Sequence, residues 1–188
     1  MNEYSGFYNG DMMSLGIIVA RQNETLSGQL ARGAIDCLER HGVHEDDITI
    51  TWVPTVNEIP LIAQQMAFSG HFDALICLGA LECDSLQLHQ VTSHISQTSL
   101  ETGLPVISKL LTIDLSNQEE LHAGTKGFDT ALIAIEMISL SEDLLHDLYE
   151  IEAEELFDEE ELNDLSDDEL LEETKEEVAT SKNGKKRT

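Results

Sequence analysis

The stretch Val53-Pro54-Thr55-Val56-Asn57-Glu58-Ile59-Pro60-Leu61 decides how the rest of the chain folds. An apolar strand pattern over residues 48–53 runs into it, and a helical pattern begins inside it and continues to residue 68. Glu58 therefore lies where a strand has ended and a helix begins. In a parallel sheet this is the carboxyl edge, where ligands bind. Two interpretations follow: Glu58 caps the helix and suits its dipole, or it faces a ligand.

Strand and helix patterns alternate four times around this stretch. The predicted strands cover residues 14–20, 48–53, 72–79 and 106–111. The predicted helices cover residues 25–40, 58–68, 85–102 and 128–140, with a short helix at 117–122 that the run Gly124-Thr125-Lys126-Gly127 ends. This alternation predicts an α/β fold with a four-stranded parallel sheet, helices on both faces and right-handed crossovers.

Four loops are expected at the carboxyl edge of that sheet. They cover residues 21–24, 54–58, 79–88 and 112–117. Because ligands of open α/β sheets bind outside the carboxyl ends of the strands, a small-molecule site is predicted among these loops.

The net charge of −27 is unevenly distributed. Residues 1–141 carry 18 acidic and five basic side chains, and residues 142–188 carry 19 acidic and five basic ones. No basic face of the kind that binds phosphate backbones is visible, so we expect no nucleic-acid partner. We also expect neither a membrane span nor a signal peptide. The three cysteines are odd in number, and Cys37 and Cys77 lie in helical and strand patterns, which indicates buried thiols in a reducing, cytoplasmic setting and no disulfide set.

The charge distribution also suggests the domain organisation. Residues 1–13 are predicted to be a flexible N-terminal arm, and residues 14–148 a single α/β domain. Residues 149–188 form an acidic C-terminal tail, predicted to be disordered on composition. An alternative is that the apolar residues of the tail make it an amphipathic segment that folds against a basic protein partner.

Several short motifs occur in one collinear order. They are Asn57-Glu58-Ile59-Pro60 after Pro54, then Gly79-Ala80, Ser99 to Val106, Leu111-Thr112, Ala123 to Gly127, and Ala134 to Met137. Together they resemble the lumazine synthase family of riboflavin biosynthesis, from about Leu15 to Leu140. The resemblance implies a flavodoxin-like three-layer α/β/α domain that assembles into homopentamers, in some members twelve of them in a shell. It implies a site shared between neighbouring subunits and no cofactor. The implied reaction condenses a ribitylamino-pyrimidine with a four-carbon keto-phosphate.

The resemblance also assigns expected roles to residues, although many ligand positions are substituted. Gln22 stands at the family's aromatic platform, and Gln87 stands where the family has its proton-transferring histidine. Glu58 is retained as an acceptor for the ribityl chain, and Lys126 is retained although about four residues before the last helix are missing. The expected substrate-binding positions are Gln22, Asn23, Asn57, Glu58, Ser85, Ser108, His122 and Lys126.

These substitutions leave alternative functions open. The first hypothesis is a family member with weakened or lost catalysis, retained for its assembly. A rival is a working enzyme in which His89 replaces the missing histidine. Others are a non-catalytic ring or shell scaffold and a module that binds flavin-like ligands, each displaying the acidic tail. A dinucleotide fingerprint is absent, and His89 and His94 diverge on a helix, so neither a dinucleotide nor a metal site is predicted.

Overall fold

The computed structural model describes residues 3–82, 85–113 and 122–147. Four strands alternate with four helices. The strands are β1 (Leu15–Ala20), β2 (Ile48–Val53), β3 (Ala74–Glu82) and β4 (Val106–Ile113). The helices are α1 (Glu24–Arg40), α2 (Ile59–Phe68), α3 (Ser85–Thr102) and α4 (residues 123–147). Two 3₁₀ turns, Glu45–Asp47 and Val56–Glu58, precede β2 and α2.

The four strands form one parallel sheet in the order β2-β1-β3-β4. Each step between sequential strands is a crossover through a helix, as parallel pairing requires. The predicted flavodoxin-like α/β fold is therefore confirmed. Ala20 pairs with Val53 at the ends of β1 and β2, whereas β3 and β4 continue to the pair Glu82 and Ile113. The carboxyl edge is thus stepped, with β3 and β4 extending beyond β1.

Alternate residues of the strands bury two apolar clusters on opposite faces of the sheet. On one face, Leu15, Ile17 and Val19 of β1 pack with α1 and α4. On the other face, Ile18 and Ala20 pack with α2 and α3. Because β1 and β3 are covered on both faces, they read in the sequence as continuous apolar runs.

Cys37 and Cys77 are buried, free thiols, as predicted. Burial raises the pKa of Cys37 to about 11 and that of Cys77 to about 12, so both stay protonated at neutral pH. Cys83 lies outside the described residues.

The predicted break at Gly124-Thr125-Lys126-Gly127 is wrong, because these residues form the first turns of α4. Gly127 on α4 and Gly33 on α1 allow close packing of the two helices. A Cβ at Gly127 would collide with the backbone carbonyl of Leu30, and a Cβ at Gly33 would collide with that of Gly124. The absence of a side chain therefore lets α1 and α4 approach closely, and the packing outweighs the poor helix propensity of glycine. Most of the short helix predicted at 117–122 lies outside the described residues.

The chain divides into two units, Met1–Asp143 and Leu144–Thr188. In the first unit, the arm before β1 is tied to later elements. The amide of Phe7 donates to Oγ of Ser139 at 2.6 Å, and the amide of Gly10 donates to the carbonyl of His41 at 2.8 Å. In the second unit, the described residues 144–147 are helical. Within the described ranges, no helix has both the length and the apolar character needed to cross a bilayer.

Candidate functional site

The first two carboxyl-edge loops are hydrogen-bonded to each other. The amide of Arg21 donates to the carbonyl of Val53 at 2.8 Å, and the amide of Gln22 donates to that of Pro54 at 3.1 Å. These bonds continue the pairing of β1 and β2 past the ends of both strands. The loop before α1 is therefore held against the stretch that contains Glu58.

Asn23 connects the first loop to the next strand of the sheet. Its φ of 54° is left-handed, a conformation that asparagine tolerates better than most residues. Its side-chain Nδ2 donates to the carbonyl of Ala80 at 3.0 Å. The amide of Asn23 is thus used to fasten the first loop to β3.

Glu58 belongs to a capping box with Thr55. Its Oε2 accepts the amide of Thr55 at 2.8 Å and the hydroxyl of Thr55 at 2.7 Å. The Thr55 hydroxyl is the largest cause that lowers the pKa of Glu58, and partial burial opposes it. The helix-capping interpretation of Glu58 is therefore confirmed. The sequence signal for Thr55 was the pattern Thr-x-x-Glu, which is typical of capping boxes and was not singled out.

Asn57 and Gln87 come together from different elements. Nε2 of Gln87, on the first turn of α3, donates to Oδ1 of Asn57 at 3.1 Å. Asn57 lies in the 3₁₀ turn before α2 and is exposed, whereas Gln87 is half-buried. The resemblance placed substituted ligand positions at both residues, and the fold makes them direct neighbours.

His89 lies two residues beyond Gln87 on α3 and is exposed. Two helical residues correspond to a rotation of about 200°, so His89 points away from the side of α3 that contacts Asn57. Ser85 is the first residue of α3, but the structure does not describe its side chain. Cys83 and Asp84 lie outside the described residues.

Ser108 lies within β4, opposite Cys77 and half-buried. The end of β4 at Ile113 is five residues further along, about 16 Å at 3.3 Å per residue. The structure therefore does not bring Ser108 to the end of its own strand. Its side chain shares the sheet face of Cys77, which α2 and α3 cover.

His122 and Lys126 lie at the start of α4, on the sheet face that α1 covers. His122 is exposed, and Lys126 is half-buried with its carbonyl accepting the hydroxyl of Thr130 at 2.6 Å. These two expected substrate-binding residues thus lie on the opposite layer from Glu58 and Gln87.

Within one chain, the expected site residues that hydrogen bonds tie to the described edge are three side-chain amides and the carboxylate of Glu58. Asn23, Asn57 and Gln87 are neutral hydrogen-bonding groups, and Glu58 is the anion among them. Such a set can orient a polyol or a heterocycle by hydrogen bonds. Carboxamides do not gain or lose a proton near neutral pH, so they cannot serve as general acids or bases. Among the described side chains, no group of three or more His, Cys, Asp or Glu is placed to hold a metal ion.

The parallel sheet and the helices on its two faces define an α/β protein of the flavodoxin-like class. Comparison with known proteins gives the family. Residues 12–142 match the model of the 6,7-dimethyl-8-ribityllumazine synthase family. Proteins named 6,7-dimethyl-8-ribityllumazine synthase from two strains of Clostridium kluyveri are each 44% identical over 153 residues, covering 77% of this chain and 99% of the relative. The chain belongs to the lumazine synthase family, a transferase family of riboflavin biosynthesis.

Proposed function

We propose that this protein is a lumazine synthase family member in which catalysis is weakened or lost while ligand recognition and assembly are retained. The observation that supports it best is the 3.1 Å hydrogen bond from Nε2 of Gln87 to Oδ1 of Asn57. A carboxamide does not titrate near neutral pH, so Gln87 cannot act as a general acid or base. Losing such a group costs about 10² to 10⁴ in rate.

Charge around the edge supports the same proposal. The keto-phosphate substrate of the family's reaction is an anion, and two acidic residues, Glu82 at the end of β3 and Asp84 two positions further along the sequence, follow one another closely here. His122 stands where the family has an arginine, which removes a bidentate phosphate donor. A charge-assisted hydrogen bond contributes about 1.5–3 kcal/mol, so the substitution weakens phosphate binding beyond the effect on proton transfer.

The rival role of His89 as a replacement general acid is less well supported. Its position about 200° around α3 from Gln87 directs the imidazole away from Asn57 and from the loop that carries Glu58. For His89 to act in catalysis, the substrate would have to bind on a side of α3 that does not face Glu58.

Assembly into rings is proposed on two grounds. The family model covers the whole α/β domain, and that domain exposes several large apolar side chains. On the edge strand β2, Ile50 and Trp52 are 40% and 38% exposed on one face. Phe68 on α2 and Leu100 on α3 are more exposed still. Apolar surface of this kind is typical of an interface, and a second copy of the chain is the proposed partner.

The acidic tail is proposed to be displayed by these rings. Repeated copies of one weakly binding segment gain affinity through avidity, because later contacts form at high local concentration. A basic protein is the partner whose charge fits a segment with this excess of acidic side chains.

The direct test is lumazine formation by the purified full-length chain, followed by absorbance with both substrates present. We expect a rate at least about 100-fold below that of a working family member. Calorimetry with a ribitylated lumazine, with and without phosphate, measures recognition separately. Near-normal turnover contradicts the proposal. Turnover that His89→Ala abolishes assigns the reaction to His89 instead.

A further inference from the structure

The geometry of Thr55 goes beyond an ordinary helix cap. Its hydroxyl accepts the amide of Asn57 at 3.3 Å and lies 2.7 Å from Oε2 of Glu58. An ionised carboxylate can only accept, so the hydroxyl proton of Thr55 points to Glu58 while a lone pair of the same hydroxyl accepts the amide of Asn57. Glu58 therefore receives two donors from one residue, the hydroxyl and the amide of Thr55.

Both of these hydrogen bonds end on the same oxygen of Glu58. The contacts from Thr55 use Oε2, and the backbone amide of Glu58 adds a further hydrogen bond to the carboxylate. The carboxylate is half-buried, so its orientation is held by these two bonds and by its surroundings. An ionised carboxylate has about four acceptor sites on its two oxygens, so Glu58 keeps capacity to accept hydroxyl groups of a polyol beyond these contacts.

We propose that Thr55 is a positioning residue for ligand binding: it anchors Oε2 of Glu58 so that the carboxylate accepts hydroxyl groups of a ribityl or similar polyol chain at its remaining acceptor sites. The inference rests on the proposed function in that a ribitylated ring is the ligand. It adds the residue that keeps Glu58 ionised and oriented. The lowered pKa of Glu58, with the Thr55 hydroxyl as its largest cause, agrees with this role.

Other charged groups do not account for the lowered pKa of Glu58. The adjoining first loop carries Arg21 and Glu24, and α3 carries His89 as its nearest titratable side chain in sequence to Gln87. The causes that shift the pKa of Glu58 are hydrogen bonds and burial, with no charged side chain among them. Removing the Thr55 hydroxyl is therefore the selective way to change the Glu58 carboxylate.

The test is calorimetry on full-length protein with two probes, a ribitylated lumazine and the same ring without the ribityl chain. Thr55→Val removes the hydroxyl and preserves the shape of the side chain. We expect it to lose about tenfold in affinity for the ribitylated ring, the equivalent of one hydrogen bond to a charged group, and nothing for the bare ring. Thr55→Ser is expected to bind like the wild type.

A pH series separates positioning from simple stabilisation. With its hydroxyl partner removed, Glu58 regains a higher pKa, so binding by Thr55→Val should fall at a higher pH than binding by the wild type. Ser69→Ala is the matched control, since Oγ of Ser69 donates to the carbonyl of Met66 at the far end of α2. It weakens the same helix without contact to Glu58 and should leave affinity unchanged.

Each result decides the inference. If the wild type binds the ribitylated ring and Thr55→Val binds it equally at every pH, the inference is overturned and the proposed function stands. If the wild type binds neither probe, both are overturned. Should Thr55→Val not fold, carboxyl-carbon NMR of Glu58 in the wild type serves instead, and an ordinary pKa for Glu58 there overturns the inference.

Discussion

At the scale of single residues, the pairing of Asn57 with Gln87 matters most. The resemblance gives both residues as expected ligand positions, and the 3.1 Å bond between them means that a change at one affects the other. Residues in direct contact are the ones whose mutational effects fail to add. Reversing the change at one position is therefore not expected to restore the site by itself.

Gln87→His tests this directly. A histidine at residue 87 supplies a group that titrates near neutral pH, but Oδ1 of Asn57 can accept its N–H and hold it away from substrate. We expect a small gain in lumazine formation from Gln87→His, none from Asn57→Ala, and a gain of about tenfold or more from the double variant. Steady-state rates of the four proteins measure the coupling.

Gln90→His is the control for that cycle, because it makes the same replacement three residues along α3 at an exposed position. Equal gains from Gln90→His and Gln87→His contradict a specific role for residue 87. Strictly additive single variants contradict the coupling of Asn57 to Gln87.

Glu58→Gln tests the capping box through stability. Glutamine is also found at this position of capping boxes, so we expect a loss of only about 0.5–1 kcal/mol in the free energy of unfolding at pH 7. The pKa of Glu58 is lower in the folded protein than in the unfolded chain, where it is about 4.3. The charged form of Glu58 therefore stabilises the fold at pH values above about 4.3, and this stabilisation is lost as the pH falls through the folded-state pKa. Urea unfolding of both proteins should give a difference that disappears on acidification below about pH 4.3. A difference independent of pH contradicts the role of the charge.

The sequence predicted which loops would carry the candidate site but not which atoms would meet. Asn57 and Gln87 are 30 positions apart, and their bond depends on how α3 packs beside the turn before α2. The Thr55 contact is local and was encoded in a recognisable pattern. Local hydrogen bonds are therefore readable from sequence, whereas contacts between elements need the packed structure.

At the scale of elements, the predicted bounds were correct where the apolar residues of a segment followed a single periodicity, that of a strand or that of a helix. Ile48–Val53 was predicted with its observed bounds, and so was Ser85–Thr102. The extra residues of β3 and β4 were missed because Leu81 and Glu82 looked like loop beyond Gly79. The start of α4 was missed because glycine propensity argued against a helix, while its contact with α1 required glycine.

Alanine substitutions separate these two properties of glycine. Gly127→Ala improves helix propensity but places a methyl group against the carbonyl of Leu30. We expect a net loss of about 1–3 kcal/mol in the free energy of unfolding, the usual cost of overpacking. Gly28→Ala in α1 meets only Nη1 of Arg32 at 3.5 Å, so it should stabilise by about 0.5–1 kcal/mol. Thermal or urea unfolding checks both, and a stabilising Gly127→Ala contradicts the close approach of α1 and α4.

At the scale of the whole molecule, the candidate residues divide between two layers. Glu58 and Gln87 belong to the layer of α2 and α3, whereas His122 and Lys126 belong to that of α1 and α4. The resemblance implies a site shared between neighbouring subunits, and a single chain with its ligand residues on two layers fits that arrangement. A sequence gives both sets of residues but cannot tell which copies of the chain bring them together.

The charge distribution gives the last prediction, which concerns assembly size. Residues 148–188 carry 16 acidic and five basic side chains, a net charge of −11 for every copy that joins the proposed assembly. Like charges brought together repel one another, and salt screens them over about 8 Å at 0.15 M and 3 Å at 1 M. We therefore expect analytical ultracentrifugation to show larger assemblies at 1 M NaCl than at low salt.

Two variants identify the cause of such a shift. Deleting residues 148–188 should give the larger assemblies at low salt, because both the charge and the bulk of the segment are lost. A segment of equal length with Asn and Gln in place of its 16 acidic residues keeps the bulk and removes the repulsion. If charge limits assembly, this neutral variant sediments like the deletion at every salt concentration. If it sediments like the wild type at low salt, bulk and not charge sets the size, and the electrostatic explanation is wrong.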